Sequence, residues 1–149
     1  MPVINSIINL INYKRLGQID EFRLFPIDVQ NKQFSELIDT AKNTEFGKKY
    51  SFKDVRSYQQ FSERVPINDY DGLKPYIERI LKGEQNILWP TDVRWFAKSS
   101  GTTSDRSKFI PITKEALDEC HFRSGKDIYA VFSDQNPDTK IYTGKTLAL

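Results

Sequence analysis

Cysteine is almost absent: the chain of 149 residues has one, Cys120. A disulfide framework is therefore excluded. Histidine is also single, and His121 stands next to that cysteine. Adjacent residues on a helix face different directions, so the two form neither a compact metal pair nor a Cys–His nucleophile pair. Charge of one sign is not in excess either, with 22 Lys and Arg against 20 Asp and Glu and a formal net charge of +2. Such a balance gives no bulk attraction to nucleic acid or to a membrane surface. No apolar run approaches the roughly 20 residues of a membrane span. The N-terminal apolar stretch lacks a basic start and is interrupted by Asn5, Asn9 and Asn12, so a secretory signal is not expected. Aromatic residues, by contrast, make up 13% of the chain, which argues against disorder. The length allows one domain or a piece of a larger one. A cytoplasmic setting fits these absences.

The first half reads as helical. Val3, Ile4, Ile7, Ile8 and Ile11 place an apolar stripe on one helical face, with Gly17 as the expected stop. The opposite face carries Asn and Ser rather than Lys and Arg, which favours a helix packed on a core over one lying in a membrane interface. Pro26 and Asp28 open a second pattern, in which Phe34, Leu37, Ile38 and Ala41 recur at helical spacing and Gly47 closes the region. Ser57 with Gln60 forms a capping box for a short helix that Pro66 ends. A further helix is predicted over about 71–82. Pro75 would sit in its first turns, Tyr76, Ile77, Ile80 and Leu81 on its inner face, and Gly83 at C′. Asp69 and Asp71 read as a cap and a dipole partner of that helix rather than as a catalytic carboxylate pair.

The period then changes. Val93, Trp95 and Ala97 alternate with Arg94, Phe96 and Lys98, predicting a strand that ends near Lys98. Phe109 to Ile112 reads as a second short strand, confined to an edge or an end by Pro111. Thr113 caps a helix carrying Leu117, Cys120, Ser124, Ile128 and Val131, with Cys120 expected to be buried, and this helix stops before Pro137. Residues 139–149 read as a strand with a turn at Gly144. The fold class is therefore α/β, mixed α+β in this stretch, with a helical segment over about 1–86 and strand, loop, strand, helix and strand over about 92–149.

Between the two central strands lies Ser99-Ser100-Gly101-Thr102-Thr103-Ser104-Asp105-Arg106-Ser107-Lys108, in which six of ten residues are hydroxylic. Small residues let a backbone approach phosphate, successive amides can form an anion nest, and hydroxyls add donors. Lys108 adds a positive charge for a phosphate tail. Composition alone leaves an ordinary Ser/Thr-rich surface turn as the alternative. Two other glycine–lysine pairs are not P-loops: the glycine required five positions earlier is Thr139 for Gly144-Lys145 and Lys42 for Gly47-Lys48.

The segment Lys98-Ser99-Ser100-Gly101-Thr102-Thr103, followed by Lys108-Phe109-Ile110-Pro111, resembles the signature of the auxin-responsive acyl-acid-amido synthetases. These belong to the adenylate-forming superfamily of firefly luciferase and the acyl-CoA synthetases. Thr44 to Lys48, Phe61 with Val65-Pro66-Ile67, Tyr70-Asp71 with Lys74 to Ile77, and Gly83-Glu84 with Leu88-Trp89-Pro90 resemble that family's N-terminal region in the same order. The resemblance implies an ATP-dependent ligase, with magnesium accompanying the ATP, that activates a carboxylic acid as acyl-AMP and passes it to an amine such as an amino acid. It also implies that Ser99, Ser100, Gly101, Thr102 and Thr103 contact the phosphates and that Lys108 neutralises developing charge. Position 105 departs from the pattern: Asp105 stands where many members carry glycine. A carboxylate there is repelled by bound phosphate unless it points away or pairs with Arg106 or Lys108. The family's later adenine- and acyl-binding motif and its C-terminal lid domain have no counterpart in residues 1–149. The resemblance thus implies the N-terminal part of the large adenylation domain, without synthetase activity of its own. The alternative is a non-catalytic module that binds a nucleotide or a protein.

Overall fold

The computed structural model describes residues 2–99, 107–141 and 145. It is mixed and helix-rich, with one two-stranded antiparallel sheet among those residues. Contacts divide the chain into two compact units, Gln30–Leu117 and Met1–Val29 with Asp118–Leu149.

Helix α1 spans Pro2–Leu24 and α2 spans Pro26–Ala41. Gly17 does not end α1. A helical glycine costs about 1 kcal/mol relative to alanine, too little to stop a helix by itself. The break falls instead at Phe25, the residue before Pro26, where the proline ring disfavours the helical conformation. The covered face of α1 carries Ile8, Asn12, Arg15, Leu16 and Ile19, whereas Ile7 and Ile11 of the expected stripe are exposed.

That face meets the last helix, α6, over Phe122–Gln135. The junction is stapled by Arg15, whose Nε and Nη2 donate to the two carboxylate oxygens of Asp127 at 2.7 Å each. Gln18 Oε1 accepts from Arg15 Nη1 at 2.9 Å and holds the guanidinium in plane. Hydrogen bonding to Arg15 pulls the Asp127 carboxyl below its ordinary range, and the same bond pushes the guanidinium up. A folded pKa below the unfolded one stabilises the protein above the unfolded value of about 3.9, and that stabilisation is lost as pH falls. Asp127→Asn is therefore expected to cost about 1–2 kcal/mol at pH 7, read by urea unfolding, and less at pH 3, below the unfolded value. An equal cost at both pH values would count against the staple.

A π-helical turn over Ala116–His121 leads into α6. Its widened turn holds an extra residue, which rotates every following position around the helix. The inward face becomes Arg123, Asp127, Ala130 and Ser133, and Ile128 is 71% exposed. Cys120, expected to be buried, is exposed for the same reason. Thr139 to Ile141 form no strand, and residues 142–144 and 146–149 of that expectation lie outside the described residues.

In the second unit, Ile38 and Ala41 of α2 pack with Phe52 and Val55, and Phe34, Phe46 and Phe61 close around them. Leu37 faces outward. Gly47 lies inside a short helix, α3 (Glu45–Lys49), rather than closing α2. Thr44 caps α3 and is fully buried: its Oγ1 accepts from Gly47 N at 2.9 Å and donates to Ala41 O at 2.7 Å. Ser57 caps α4 (Tyr58–Arg64), while Gln60 reaches back one residue beyond the usual box and accepts from the Arg56 amide at 2.7 Å.

Helix α5 spans Tyr70–Leu81, with Asp69 as its cap and Pro75 in its second turn. Ile77 and Ile80 are buried as expected, but Leu81 is exposed. Gly83, at φ +96°, ends α5 in a Schellman motif, its amide bonding Ile80 O while Glu84 N bonds Arg79 O. Arg79 bridges this end to α3, pairing with Glu84 and with both carboxylate oxygens of Glu45 at 2.7 Å. Strands β1 (Val93–Lys98) and β2 (Phe109–Thr113) form an antiparallel hairpin beside α5, with Lys98 opposite Phe109 and Phe96 opposite Pro111. Among the described residues no helix is long and apolar enough to cross a membrane.

Candidate functional site

The hydroxyl-rich segment joins β1 to β2. Its two ends are tied together where the ladder runs out. Ser99 N donates to Lys108 O at 3.0 Å, and the Lys108 amide donates to Ser99 Oγ at 3.0 Å. The serine hydroxyl thus replaces its own carbonyl as the second acceptor of an antiparallel pair. Ser99 spends its amide on closing the mouth of the turn, which leaves its hydroxyl as the group with a proton for a ligand. Ser100, Gly101, Thr102 and Thr103, with Asp105 and Arg106, lie outside the described residues.

Lys108 is half-buried, with its Nζ 5.6 Å from the centre of the Tyr70 ring. Lys98, one residue before the turn, stands with Nζ 5.9 Å from the Phe109 ring. One cation therefore flanks each end of the turn, resting on an aromatic face at a distance typical of cation–π contact. Past the far end of the hairpin, Glu115 accepts from Thr91 Oγ1 at 2.9 Å, and a bond from its own backbone amide leads the causes that draw its carboxyl below the usual range.

Tyr70 is the residue that local sequence reasoning does not pick out. Its hydroxyl accepts from Phe109 N at 3.0 Å and donates to Phe109 O at 3.3 Å. Nothing in the pattern around position 70 points to a backbone 39 residues later. Only its place beside Asp71, in a motif shared with the amido synthetases, marks it.

The fold and site thus define a class: a helix-rich α+β segment whose two paired strands are joined by hydroxyl-rich sequence flanked by lysines. The chain belongs to the GH3 family, whose N-terminal domain model matches residues 15–149. It is 35% identical over 106 residues to indole-3-acetic acid-amido synthetase GH3.2 of Arabidopsis thaliana, covering 70% of this chain and 19% of that protein. It is 32% identical over 106 residues to indole-3-acetic acid-amido synthetase GH3.8 of Oryza sativa subsp. indica, covering 70% and 18%. To the jasmonoyl-L-amino acid synthetase JAR6 of Nicotiana attenuata it is 28% identical over 134 residues, covering 87% and 22%. The chain spans about a fifth of the length of these curated relatives.

Proposed function

We propose that this chain supplies the N-terminal part of an ATP-dependent ligase that activates a carboxylic acid as acyl-AMP and conjugates it to an amine such as an amino acid. The observation that carries the reading is the turn itself. The sequence joining the two paired strands is a run of hydroxyls and a glycine, and Lys98, Ser99 and Lys108 stand at its described ends. The relatives' names, indole-3-acetic acid-amido synthetase and jasmonoyl-L-amino acid synthetase, support the ligase reading.

In that reaction a carboxylate oxygen attacks the α-phosphorus of ATP, and pyrophosphate leaves. The amine then attacks the acyl carbon, AMP leaves with the bonding pair, and the amine proton is lost. Residues of this chain act on the first half. Ser99, Ser100, Gly101, Thr102 and Thr103 would cradle the phosphates, and Lys108 would stabilise the charge that builds on the departing pyrophosphate. Fixed donors of this kind accelerate a reaction because they need no reorganisation as charge develops. Magnesium would enter with the nucleotide. Among the described residues no group of three His, Cys, Asp or Glu side chains is placed to hold an ion, and no step is assigned to a metal.

The test uses the purified chain with ATP, magnesium and mixed carboxylic acids. Calorimetry is expected to detect binding of magnesium–ATP, while a pyrophosphate assay is expected to show no sustained release. Absence of nucleotide binding would sink the phosphate-turn reading. Sustained release would overturn the expectation that the chain alone lacks synthetase activity.

A further inference from the structure

We propose that Tyr70 is the positioning residue of the phosphate turn, fixing where the turn leaves the sheet and where Lys108 stands. This rests on the reading of residues 99–108 as a phosphate-binding turn.

The argument starts from the ladder. In an antiparallel pair, alternate residues aim their amide and carbonyl at the partner strand, and those between aim them outward. Ser99 and Lys108 exchange bonds across the hairpin, so Phe109 is the next, outward-facing position. Its amide and carbonyl would stand open on the edge of a two-stranded sheet. Both are instead taken by one hydroxyl, that of Tyr70, at 3.0 and 3.3 Å. The next outward position is Pro111, which has no amide to satisfy. The edge is thus finished by a tyrosine and a proline at successive outward positions, and the register of β2 is pinned where the turn ends.

Tyr70 is suited to this because it is held rigidly. It is the first residue of α5, whose start is fixed by the Asp69 cap, with Gly72 N bonding Asp69 Oδ1 at 2.9 Å. The body of α5 is anchored by buried Ile77 and Ile80. A Tyr ring can swing about only two torsions, so a fixed Cα and two hydrogen bonds leave it a single pose. The face of that ring carries Lys108 Nζ at 5.6 Å. One side chain therefore sets both the backbone exit of the turn and the position of its cation. Sites built on helices hold their groups more closely than sites built on loops, and here a helix lends that precision to a turn.

The test uses the full chain with Tyr70→Phe, which keeps the ring and removes both hydrogen bonds, and Tyr70→Ala, which removes the ring as well. Tyr58→Phe is the control. In Tyr70→Phe the Phe109 amide is expected to exchange with solvent at least tenfold faster while the melt stays cooperative. The Lys108 side-chain resonances are expected to stay in place in Tyr70→Phe and to move in Tyr70→Ala. Magnesium–ATP affinity, measured by calorimetry, is expected to fall about fivefold in Tyr70→Phe and further in Tyr70→Ala. Unchanged exchange at Phe109 overturns the proposal, and so does undiminished ATP affinity in Tyr70→Phe when the parent chain binds. If the parent chain binds no nucleotide, the phosphate reading fails, and the exchange and resonance measurements still decide whether Tyr70 positions the turn.

Discussion

Alanine at position 47 is expected to destabilise the chain by about 3 kcal/mol or more, lowering its melting temperature by roughly 6–12 °C. Gly47 is buried in α3, and a Cβ placed there would overlap the carbonyl oxygen of Ala41 and press on the carbonyl carbons of Ala41 and Lys42. These are backbone atoms, so no side chain can turn aside to relieve the overlap. The Ala41 carbonyl is also engaged, accepting from both Thr44 N at 3.0 Å and Thr44 Oγ1 at 2.7 Å. Separating α3 from the end of α2 would break these bonds within a fully buried threonine cap, and an unpaired buried polar group costs about 1–3 kcal/mol. It would also pull Phe46 from Phe52, whose rings meet edge-on at 6.1 Å. Gly17→Ala supplies the opposite sign. No atom lies within 4 Å of a Cβ at Gly17, and the site is inside α1, so alanine is expected to stabilise by about 0.5–1 kcal/mol. Urea unfolding of both variants checks the pair. A Gly47→Ala chain melting within 2 °C of the parent would show that α2 and α3 do not approach as described.

The contrast between these glycines shows what can be read from sequence and what cannot. Both look alike as helix stops, because local propensity treats every glycine as a break. Their roles are set by what lies across the gap, which for Gly47 is a carbonyl six residues earlier and for Gly17 is open space. Gly83 was legible because its requirement is local: a Schellman turn needs φ > 0 at C′ whatever surrounds it. The Asp69 and Ser57 caps and the ends of the two strands were legible for the same reason, being fixed by neighbours within a few positions. The face of the last helix was not. Period counting assumes 3.6 residues per turn throughout, but Leu117 and Cys120 lie inside the π turn at Ala116–His121, which changes their spacing and shifts the phase of every position after it; Cys120 and Ile128 face outward. The site divides along the same line. Ser99 and Lys108 are candidates by residue type alone, whereas Tyr70 meets the Phe109 backbone through a contact that only the tertiary structure creates.

Lys108→Ala is expected to weaken magnesium–ATP binding by about 10- to 100-fold. A hydrogen bond to a charged group contributes about 1.5–3 kcal/mol, and each 1.4 kcal/mol is a factor of ten in affinity. The turn closes through the backbone of residue 108 and the hydroxyl of Ser99, both of which alanine leaves in place. The contact of the ammonium with Tyr70 contributes about 0.5–1 kcal/mol to the fold, and a urea melt of the same variant separates a change in folding from a change in affinity. Lys98→Ala is the internal comparison. Lys98 stands one residue before the turn on the Phe109 ring, so its charge reaches a ligand only at longer range, and its loss is expected to cost less than threefold at 0.15 M salt. Raising the salt to 0.5 M should shrink the Lys98 effect toward nothing, because screening acts most on separated, exposed charges. Most of the Lys108 effect should persist, since a direct bond to phosphate at a half-buried position is screened less. Lys108→Arg tests geometry as well as charge: guanidinium keeps the positive charge but offers a planar fork in place of a compact ammonium, so it is expected to restore binding only in part. Equal affinity of Lys108→Ala and the parent chain would remove Lys108 from the phosphate site. Equal losses in Lys98→Ala and Lys108→Ala would reduce both lysines to general electrostatic attraction.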